Sequence, residues 1–357
     1  MRIFFISSFP TPNDGVSDYT QDIMHALLQS GAEVSSGKID RPFSVLYLRG
    51  WSRLLKQIQD FSPDVVHVQY TPTSLGLGLQ MGLRRLQKLK IPVVLTIHEK
   101  PDFFIDRLPR ILVKPYLLWE KKVYSLAAGL IVHTQDQYID VRIRYDVPPA
   151  HLHVIPHYIQ DTPAQGQTTA LRLVSLGRIV PKKRLDLVIE AVAELCQTFP
   201  DLRLVVVGQA PDRYATYAEN LKHLAEKLGV SSQVEWTGYV SEKNLPQVLS
   251  THDLAVLPYL MATQSGAAFK VLSHNVPLLT NNLPAFEELL SKFSVGLSRP
   301  LHSAVQITQA VKEILAHPEW PAKWQTEIQR LKKEQSLDTI AQLHLKLYTS
   351  LCQNTSE

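Results

Sequence analysis

The chain of 357 residues is about twice the length of a typical domain, and 45% of it is hydrophobic, so we expect two domains with sizeable cores. A net charge of +4, with no basic tail or nucleic-acid motif, gives no support for nucleic-acid binding. Two cysteines exclude a disulfide framework and are typical of a reducing cytosol, and no apolar run reaches the roughly 20 residues that span a bilayer.

Short apolar runs alternate with helical patterns in the first half of the chain. The run after the initial Met is too short for a signal-peptide core, so it predicts a buried strand. A helix is predicted over Asp18–Gln29, with Gly31 as its C-cap. The predicted strands are Arg2–Ser7, Asp64–Val68, Val93–Ile97, Gly129–His133 and His153–Ile155.

A polar segment, Tyr158–Thr169, predicts a linker, and the same pattern restarts after it. The predicted strands of this half are Leu171–Leu176, Leu202–Val207, Val234–Trp236, Leu254–Leu257, Val276–Thr280 and Ser294–Leu297. The predicted helices are Leu185–Gln197, Tyr214–Leu228 and Leu331–Leu351.

Apolar strands that alternate with helices indicate parallel sheets covered on both faces. We therefore predict two doubly wound α/β domains, residues 1–165 and 166–335. A final helix at 336–357 packs on the second domain or crosses back to the first. Ligands bind such sheets at the carboxyl ends of the strands, and the predicted site is the cleft between the domains.

Two cations lie at the end of the predicted strand Leu171–Leu176. Arg178 follows the strand almost at once, and Lys183 comes five residues later, just before a predicted helix. A guanidinium binds two phosphate oxygens at once through parallel hydrogen bonds, and an ammonium adds a localised positive charge. A helix N-terminus adds N–H groups that are free to bind phosphate. The pair predicts a diphosphate site that also stabilises the charge on a departing phosphate. The alternative is a solvated basic loop, because Lys183 is one of three consecutive basic residues.

The segment Ser175–Asp186 resembles the phosphate-binding segment of retaining glycosyltransferases of family 4, which reads Gly-Arg, four residues, then Lys. Arg184 stands where that family usually has Gly. Four further segments are similar to family landmarks and follow in the same order: Leu204–Gly208, Val234–Val240, Asp253–Pro258 and Asn275–Leu279. The resemblance implies the GT-B fold, an α/β architecture of two Rossmann-like domains in which the second binds most of the nucleotide-sugar donor.

The sequence departs from the family where a pair of glutamates usually lies eight positions apart. Ala262 and Lys270 occupy those positions, and the stretch from Ala262 reads Ala-Thr-Gln-Ser-Gly, which resembles a recurrent variant of the family. We expect donor contacts from Gln264, Ser265 and Gly266, with N–H groups at the start of the next helix offered to phosphate. Lys270 would then bind phosphate where the family binds ribose. Weakened or lost donor binding is the alternative.

The same resemblance implies further donor contacts. The backbone near Gly208 and Tyr239, together with Val240, is expected to contact the nucleotide base. Gly15 lies between the first strand and the first helix and resembles the family's glycine loop, where backbone approaches the ligand closely. An ordinary tight turn with Asp18 as N-cap is the alternative.

Histidines end several of the predicted strands. The segment Leu95–Glu99 resembles one that lines the cleft in the family, and His98 is expected to contact the transferred sugar through its side chain or its carbonyl. A single His at a strand end is also typical of a structural role. His151, His153 and His157 have no adjacent Cys or acid partner, so they do not predict a metal site.

We predict a retaining, metal-independent glycosyltransferase with His98, Arg178 and Lys183 as its catalytic residues. The chain lacks the Asp-x-Asp pair of one metal-dependent class. No cofactor is expected, because the nucleotide-diphosphate sugar is the substrate, and the acceptor is a glycan, a lipid-linked molecule or a small molecule. A non-catalytic binding or scaffold protein with this fold is the alternative, favoured by the missing acids at positions 262 and 270.

Two stretches of the first half, Leu83–Lys90 and Phe103–Trp119, mix basic and apolar residues. A solvated helix face and a core stripe are the simpler interpretation. The other is a peripheral membrane contact that presents a lipid-linked acceptor. The expected location is the cytoplasm, at the inner face of the membrane in the second case. No oligomeric state is indicated.

Overall fold

The computed structural model describes residues 1–7, 15–38, 47–71, 78–99, 102–105, 108–162, 172–249, 253–262 and 265–354. The chain divides into two compact units, Met1–Tyr158 with the C-terminal helix, and Ile159–Ser336. Each unit is built on a six-stranded parallel sheet with helices on both faces. The α/β class with two doubly wound sheets, predicted from the sequence, is confirmed.

The sheet of the first unit has the strand order β2-β1-β3-β4-β5-β6. Its strands are β1 Arg2–Ile6, β2 Glu33–Gly37, β3 Val65–Tyr70, β4 Val93–Ile97, β5 Gly129–Val132 and β6 Leu152–Val154. Its helices are α1 Gly15–Gln29, α2 Tyr47–Phe61, α3 Leu79–Lys88, α4 Asp102–Ile105, α5 Arg110–Tyr124, α6 Gln135–Tyr145 and the C-terminal helix Leu337–Asn354.

Alternation along the strands places two apolar layers on this sheet. Ile3 and Phe5 of β1 pack with α1 and the C-terminal helix. Phe4 and Ile6 of the same strand face the opposite way, toward α2 and α3. The strands are apolar on both faces because helices cover both, as the continuous apolar runs predicted.

The sheet of the second unit has the order β12-β11-β10-β7-β8-β9. Its strands are β7 Arg172–Leu176, β8 Arg203–Val207, β9 Val234–Gly238, β10 Leu254–Leu257, β11 Leu278–Thr280 and β12 Gly296–Ser298. Its helices are α7 Leu185–Leu195, α8 Ala215–Lys227, α9 Leu245–Val248, α10 Gly266–Ser273, α11 Pro284–Lys292, α12 Ala304–Leu315 and α13 Trp320–Glu334. The C-terminal helix of the first unit is α14 in this numbering.

The helical pattern over Leu331–Leu351 corresponds to two helices rather than one. The first, α13, ends at Glu334, and α14 begins at Leu337. Between them Ser336 forms a parallel bridge with Ile159, at the start of the second unit. Residues of α14, among them Ile340 and Tyr348, are buried in the apolar layer that contains α1.

The predicted linker lies partly outside the described residues. Tyr158 is buried in the first unit, whereas 163–171 fall outside the part of the chain that the structure describes.

Among the described helices, none combines the length and apolarity that a bilayer crossing requires.

Candidate functional site

Three glycines bring the carboxyl ends of β7, β8 and β9 close together. Gly177 has φ +105°, and its N–H donates to the carbonyl of Val207 at 2.7 Å. Gly208 has φ +136°, and its N–H donates to the carbonyl of Gly238 at 2.8 Å. A Cβ on Gly208 would lie 2.3 Å from the carbonyl oxygen of Gly177. Only glycine fits at position 208, and the edge of the sheet is therefore lined by main-chain atoms.

Lys183 lies over this edge. Its Nζ donates to the carbonyl of Leu176 at 3.0 Å and lies 5.2 Å from the centre of the Tyr259 ring. It is also 2.6 Å from the point that a Cβ on Gly177 would occupy, so that glycine leaves room for the ammonium. No carboxylate pairs with Lys183 among the described residues. Burial, and then the nearby Arg178, lowers the pKa of Lys183 to about 7.

A tight turn positions Lys183. Residues Pro181–Lys183 form one turn of 3-10 helix, and Arg184 follows in the left-handed region with φ +51° before α7 begins. That conformation explains the glycine expected at this position, because glycine adopts it without steric cost. Here the Arg184 guanidinium instead pairs with Asp186 at 2.8 Å.

The N-terminus of α10 lies beside the same glycine. The Cβ of Ala267 is 3.7 Å from the point that a Cβ on Gly177 would occupy. Ser265 is the N-cap, and its hydroxyl oxygen accepts from the N–H of Ala268 at 3.2 Å. Gly266 is the exposed first residue of the helix, with open space around it. The first turn of α10 and Lys183 thus converge on the end of β7.

Arg178 completes this group of cations. Its side chain is exposed, and among the described residues it forms no hydrogen bond or ion pair. The arrangement consists of a half-buried ammonium with no carboxylate partner among the described residues, a guanidinium close enough to lower its pKa, and a helix N-terminus. All three favour an anion, and a diphosphate supplies enough charge to satisfy them together.

The other predicted donor residues have different environments. Tyr239 is 58% exposed after β9, while Val240 packs against the apolar layer around α10. Ala262 is packed against that layer as well. Lys270 forms an ion pair with Glu242, so the structure gives this cation a carboxylate partner. Gln264 lies outside the described residues.

In the first unit, His98 follows β4 at the carboxyl edge of the sheet. Its Nε2 lies 2.6 Å from Oε1 of Gln69, and its ring contacts those of Tyr19 and His133 at 5.3 and 5.2 Å between centroids. Burial, followed by the charges that His133, His157 and His67 would carry, holds its pKa well below the ordinary range. His98 is therefore neutral at physiological pH.

Tyr19 of α1 is the centre of a cluster of rings at this edge. It stacks on Tyr158 at 5.6 Å and approaches His157 at 4.9 Å. The Tyr158 hydroxyl donates to a carboxylate oxygen of Asp22. His133 donates from Nδ1 to a carbonyl at 2.9 Å, and burial lowers its pKa to about 3. The cluster consists of tyrosine and histidine rings, of which His98 and His133 are neutral.

Gly15 is the first residue of α1 and is exposed, with open space where a side chain would project. Asp18 lies within the first turn of this helix instead of preceding it, so the alternative of an N-cap at Asp18 is wrong. Residues 8–14, which precede this helix, lie outside the described residues. Among the described residues, which include His151, His153 and His157, no three metal-ligating side chains come together.

Several residues of these sites were not singled out from the sequence. Tyr259, next to Lys183, follows a proline at the end of a strand, and nothing in its sequence context predicts a functional role. His67 and Gln69 could have been identified from the sequence, because they alternate with valines in an otherwise apolar strand and so share one face. Two buried polar side chains on one face of a parallel strand indicate a hydrogen-bond network.

Two six-stranded parallel sheets covered by helices, matched by solved glycosyltransferase structures, are the GT-B fold. Models of two families match consecutive parts of the chain, Glycosyltransferase Family 4 at residues 34–162 and Glycosyl transferases group 1 at residues 162–331. The chain belongs to this family of glycosyltransferases, as the resemblance implied.

Relatives and solved structures agree with this assignment. Alpha-D-kanosaminyltransferase of Streptomyces kanamyceticus is 23% identical over 252 residues, covering 65% of this chain and 63% of that protein. Alpha-monoglucosyldiacylglycerol synthase of Streptococcus pneumoniae is 26% identical over 282 residues, covering 72% of this chain and 60% of that protein. The matches thus span less than two-thirds of the length of these relatives.

Solved structures share the fold along nearly the whole chain. Sucrose-phosphate synthase from Thermosynechococcus elongatus superimposes with a TM-score of 0.77 at 15% identity, covering 98% of each chain. HepE from Anabaena, in complex with UDP and glucose, gives a TM-score of 0.77 at 14% identity, covering 98% of this chain and all of the other. At such identities the likeness concerns the fold.

Proposed function

We propose that the protein is a retaining, metal-independent glycosyltransferase that moves a sugar from a nucleotide-diphosphate sugar to a hydroxyl of a glycan, lipid-linked or small-molecule acceptor. The observation that carries this proposal is Lys183. Within the part of the chain that the structure describes, this half-buried ammonium has no carboxylate partner, and beside Arg178 and the first turn of α10 it is stabilised best by a bound polyanion. The name of a relative, alpha-monoglucosyldiacylglycerol synthase, indicates glycosyl transfer.

The chemistry follows from placing the diphosphate at this edge. Lys183, Arg178 and the N–H groups of α10 neutralise charge that accumulates on the leaving phosphate as its bond to the anomeric carbon breaks. The sugar passes through an oxocarbenium-like state. The acceptor hydroxyl attacks from the face that the leaving group vacates and gives its proton to the departing phosphate. Retention then requires neither an enzymic nucleophile nor a metal ion.

The remaining donor groups are assigned by position. Tyr239 and the backbone at Gly208 contact the nucleotide base, since both lie at the β8–β9 side of the diphosphate edge. Ser265 and Gly266 offer the helix N-terminus to phosphate. His98 contacts the transferred sugar, and a neutral imidazole suits this role because it accepts and donates without adding charge.

Calorimetry with a panel of UDP-, GDP- and ADP-sugars tests the proposal. At least one donor should bind, and Lys183→Ala should weaken it by about 1.5–3 kcal/mol, or roughly 10- to 150-fold, as expected for a lost bond to a charged group. Lys182→Ala is the matched control, because the neighbouring lysine is exposed. Absence of binding by every donor at millimolar concentration would favour the scaffold alternative, and binding without transfer to any acceptor would contradict catalysis.

We also propose a peripheral membrane contact at the inner face of the cytoplasmic membrane, through one face of α5. Ile111 and Leu118 are 82% and 60% exposed and lie seven residues apart, with Lys114 between them on the same face. Lys122 extends that face by one turn. Exposed apolar side chains with interleaved lysines suit the boundary between anionic head groups and acyl chains. This surface would bring the enzyme to a lipid-linked acceptor.

Sedimentation with vesicles tests this contact. The protein should bind vesicles rich in phosphatidylglycerol more strongly than those of phosphatidylcholine, and Ile111→Ser with Leu118→Ser should reduce the bound fraction several-fold. Leu28→Ser is the control, because Leu28 is an exposed apolar residue of α1, on the other face of the sheet. Equal binding by the double variant would refute the surface.

A further inference from the structure

A chain of buried hydrogen bonds runs behind His98 in the first unit. Nε2 of His98 lies 2.6 Å from Oε1 of Gln69, and Nε2 of Gln69 lies 3.4 Å from Nε2 of His67. His67 continues the chain on both sides, with Thr96 at 2.7 Å from Nε2 and Tyr348 of α14 at 2.6 Å from Nδ1. All of these residues except His98 are no more than 1% exposed.

The amide of Gln69 assigns the protons along this chain. Its oxygen can only accept, so the proton between it and His98 belongs to Nε2 of the imidazole. Its nitrogen can only donate, so Nε2 of His67 is unprotonated. The lone pair of that nitrogen accepts from the Gln69 amide and also from the Thr96 hydroxyl. His67 then carries its proton on Nδ1 and donates it to the Tyr348 hydroxyl. Every polar side-chain atom of the four fully buried members, Gln69, His67, Thr96 and Tyr348, has a hydrogen-bond partner, as burial requires.

The other nitrogen of His98 has a different environment. No hydrogen bond within the described residues involves Nδ1, and the side chain is partly exposed. Because Nε2 holds the single proton of a neutral ring, Nδ1 presents a lone pair. The rings in contact with His98 are those of Tyr19 of α1 and His133 after β5, and His157 after β6 is close enough to lower its pKa; none of the three supplies a negative charge.

We propose that Gln69 is a positioning residue that fixes His98 as its Nε2–H tautomer, so that Nδ1 accepts a hydrogen bond from a hydroxyl of the bound sugar. This deepens the proposed function and rests on it for the identity of the ligand. His67 and Tyr348 hold the Gln69 amide in the required orientation. A carbohydrate hydroxyl is the natural partner, because it donates to a neutral acceptor without needing charge.

The tautomer can be measured on the free protein. Two-bond nitrogen–proton correlation of histidine-labelled protein distinguishes a protonated from an unprotonated ring nitrogen, and the His98→Ala spectrum assigns the signal. We expect His98 to have a protonated Nε2 and a lone pair on Nδ1 at neutral pH. A protonated Nδ1 would overturn the proposal. This measurement needs neither donor nor turnover, so an inactive protein would count against the proposed function and leave the tautomer unaffected.

Gln69→Glu tests the role in transfer. A carboxylate facing Nε2 stabilises the imidazolium, so the pKa of His98 rises and Nδ1 becomes a donor at low pH. Transfer by this variant should fall tenfold for each pH unit below the raised pKa and recover above it, whereas the native enzyme shows no such limb. Gln21→Glu adds the same charge at an exposed position of α1 and should keep the pH profile of the native enzyme.

A Gln69→Glu variant with the native pH profile would overturn the positioning role, provided its thermal unfolding shows it to be folded. A uniform loss of activity across pH would overturn it as well, because a merely structural defect has that signature. If the variant fails to fold, the tautomer of His98 measured on the native protein alone decides whether the proposal holds.

Discussion

Donor binding by the native protein should take up a proton at Lys183. Free Lys183 has a pKa of about 7, so near neutrality about half of the molecules carry a neutral amine. A bound diphosphate favours the ammonium and raises the pKa well above that value. Binding at pH 7 should therefore take up about half a proton, rising toward one at higher pH.

The affinity for the donor should depend on pH only above pH 7. Below pH 7 Lys183 is already charged, and donor affinity should be nearly constant. Above pH 7 each unit should weaken binding about tenfold, or about 1.4 kcal/mol, until the pKa of the bound state is reached. A nucleotide-diphosphate sugar is a suitable probe because each of its two phosphates carries one ester and one anhydride bond, so neither titrates near pH 7.

Calorimetry in buffers with different ionisation enthalpies measures the proton uptake directly. Lys183→Arg is the decisive variant, since a guanidinium keeps the charge but stays protonated throughout. It should bind with no pH dependence between pH 6 and pH 9, while Lys182→Ala should retain the native dependence. Native binding without proton uptake, or uptake that persists in Lys183→Arg, would refute the reasoning.

Two further predictions concern the second unit. Gly208→Ala should cost about 3 kcal/mol or more in urea unfolding, because its Cβ would overlap the carbonyl of Gly177, whereas Gly229→Ala, at φ +71° in open space, should cost about 1 kcal/mol. Comparable losses would show that backbone conformation alone decides. Glu242→Gln should tighten donor binding by releasing Lys270 to phosphate, and Lys270→Met should weaken it about tenfold, with little change in thermal stability for either because the pair is surface-exposed. Unchanged affinity in both variants would remove Lys270 from the donor site.

Much of the fold could be predicted because most buried strands are continuous apolar runs. Val93–Ile97 and Leu254–Leu257 were predicted with the bounds that the structure has. The polar strand β2, with Glu33, Ser35 and Ser36, was missed because among the described strands it pairs on one side only and its side chains are at most partly buried. Periodicity cannot mark a strand that buries so little.

The candidate site was less predictable for a different reason. Arg178 and Lys183 stood out because cations at the end of an apolar strand are unusual. The ion pair of Lys270 with Glu242 joins residues 28 positions apart, and no local pattern connects them. Likewise the contact of His67 with Tyr348 spans 281 positions and depends on where α14 packs. Such long-range partners decide protonation and charge, and the fold alone brings them together.

The bond between His67 and Tyr348 also bears on the order in which the polypeptide matures on the ribosome. The second unit is one contiguous segment, so it can reach its native structure while the last helix is still in the exit tunnel. The first unit is translated earlier but lacks α14 until the whole second unit has been made, and until then the layer around α1 is incomplete. The half of the protein that is made first therefore finishes folding last, and His98 lacks part of its network until α14 has docked.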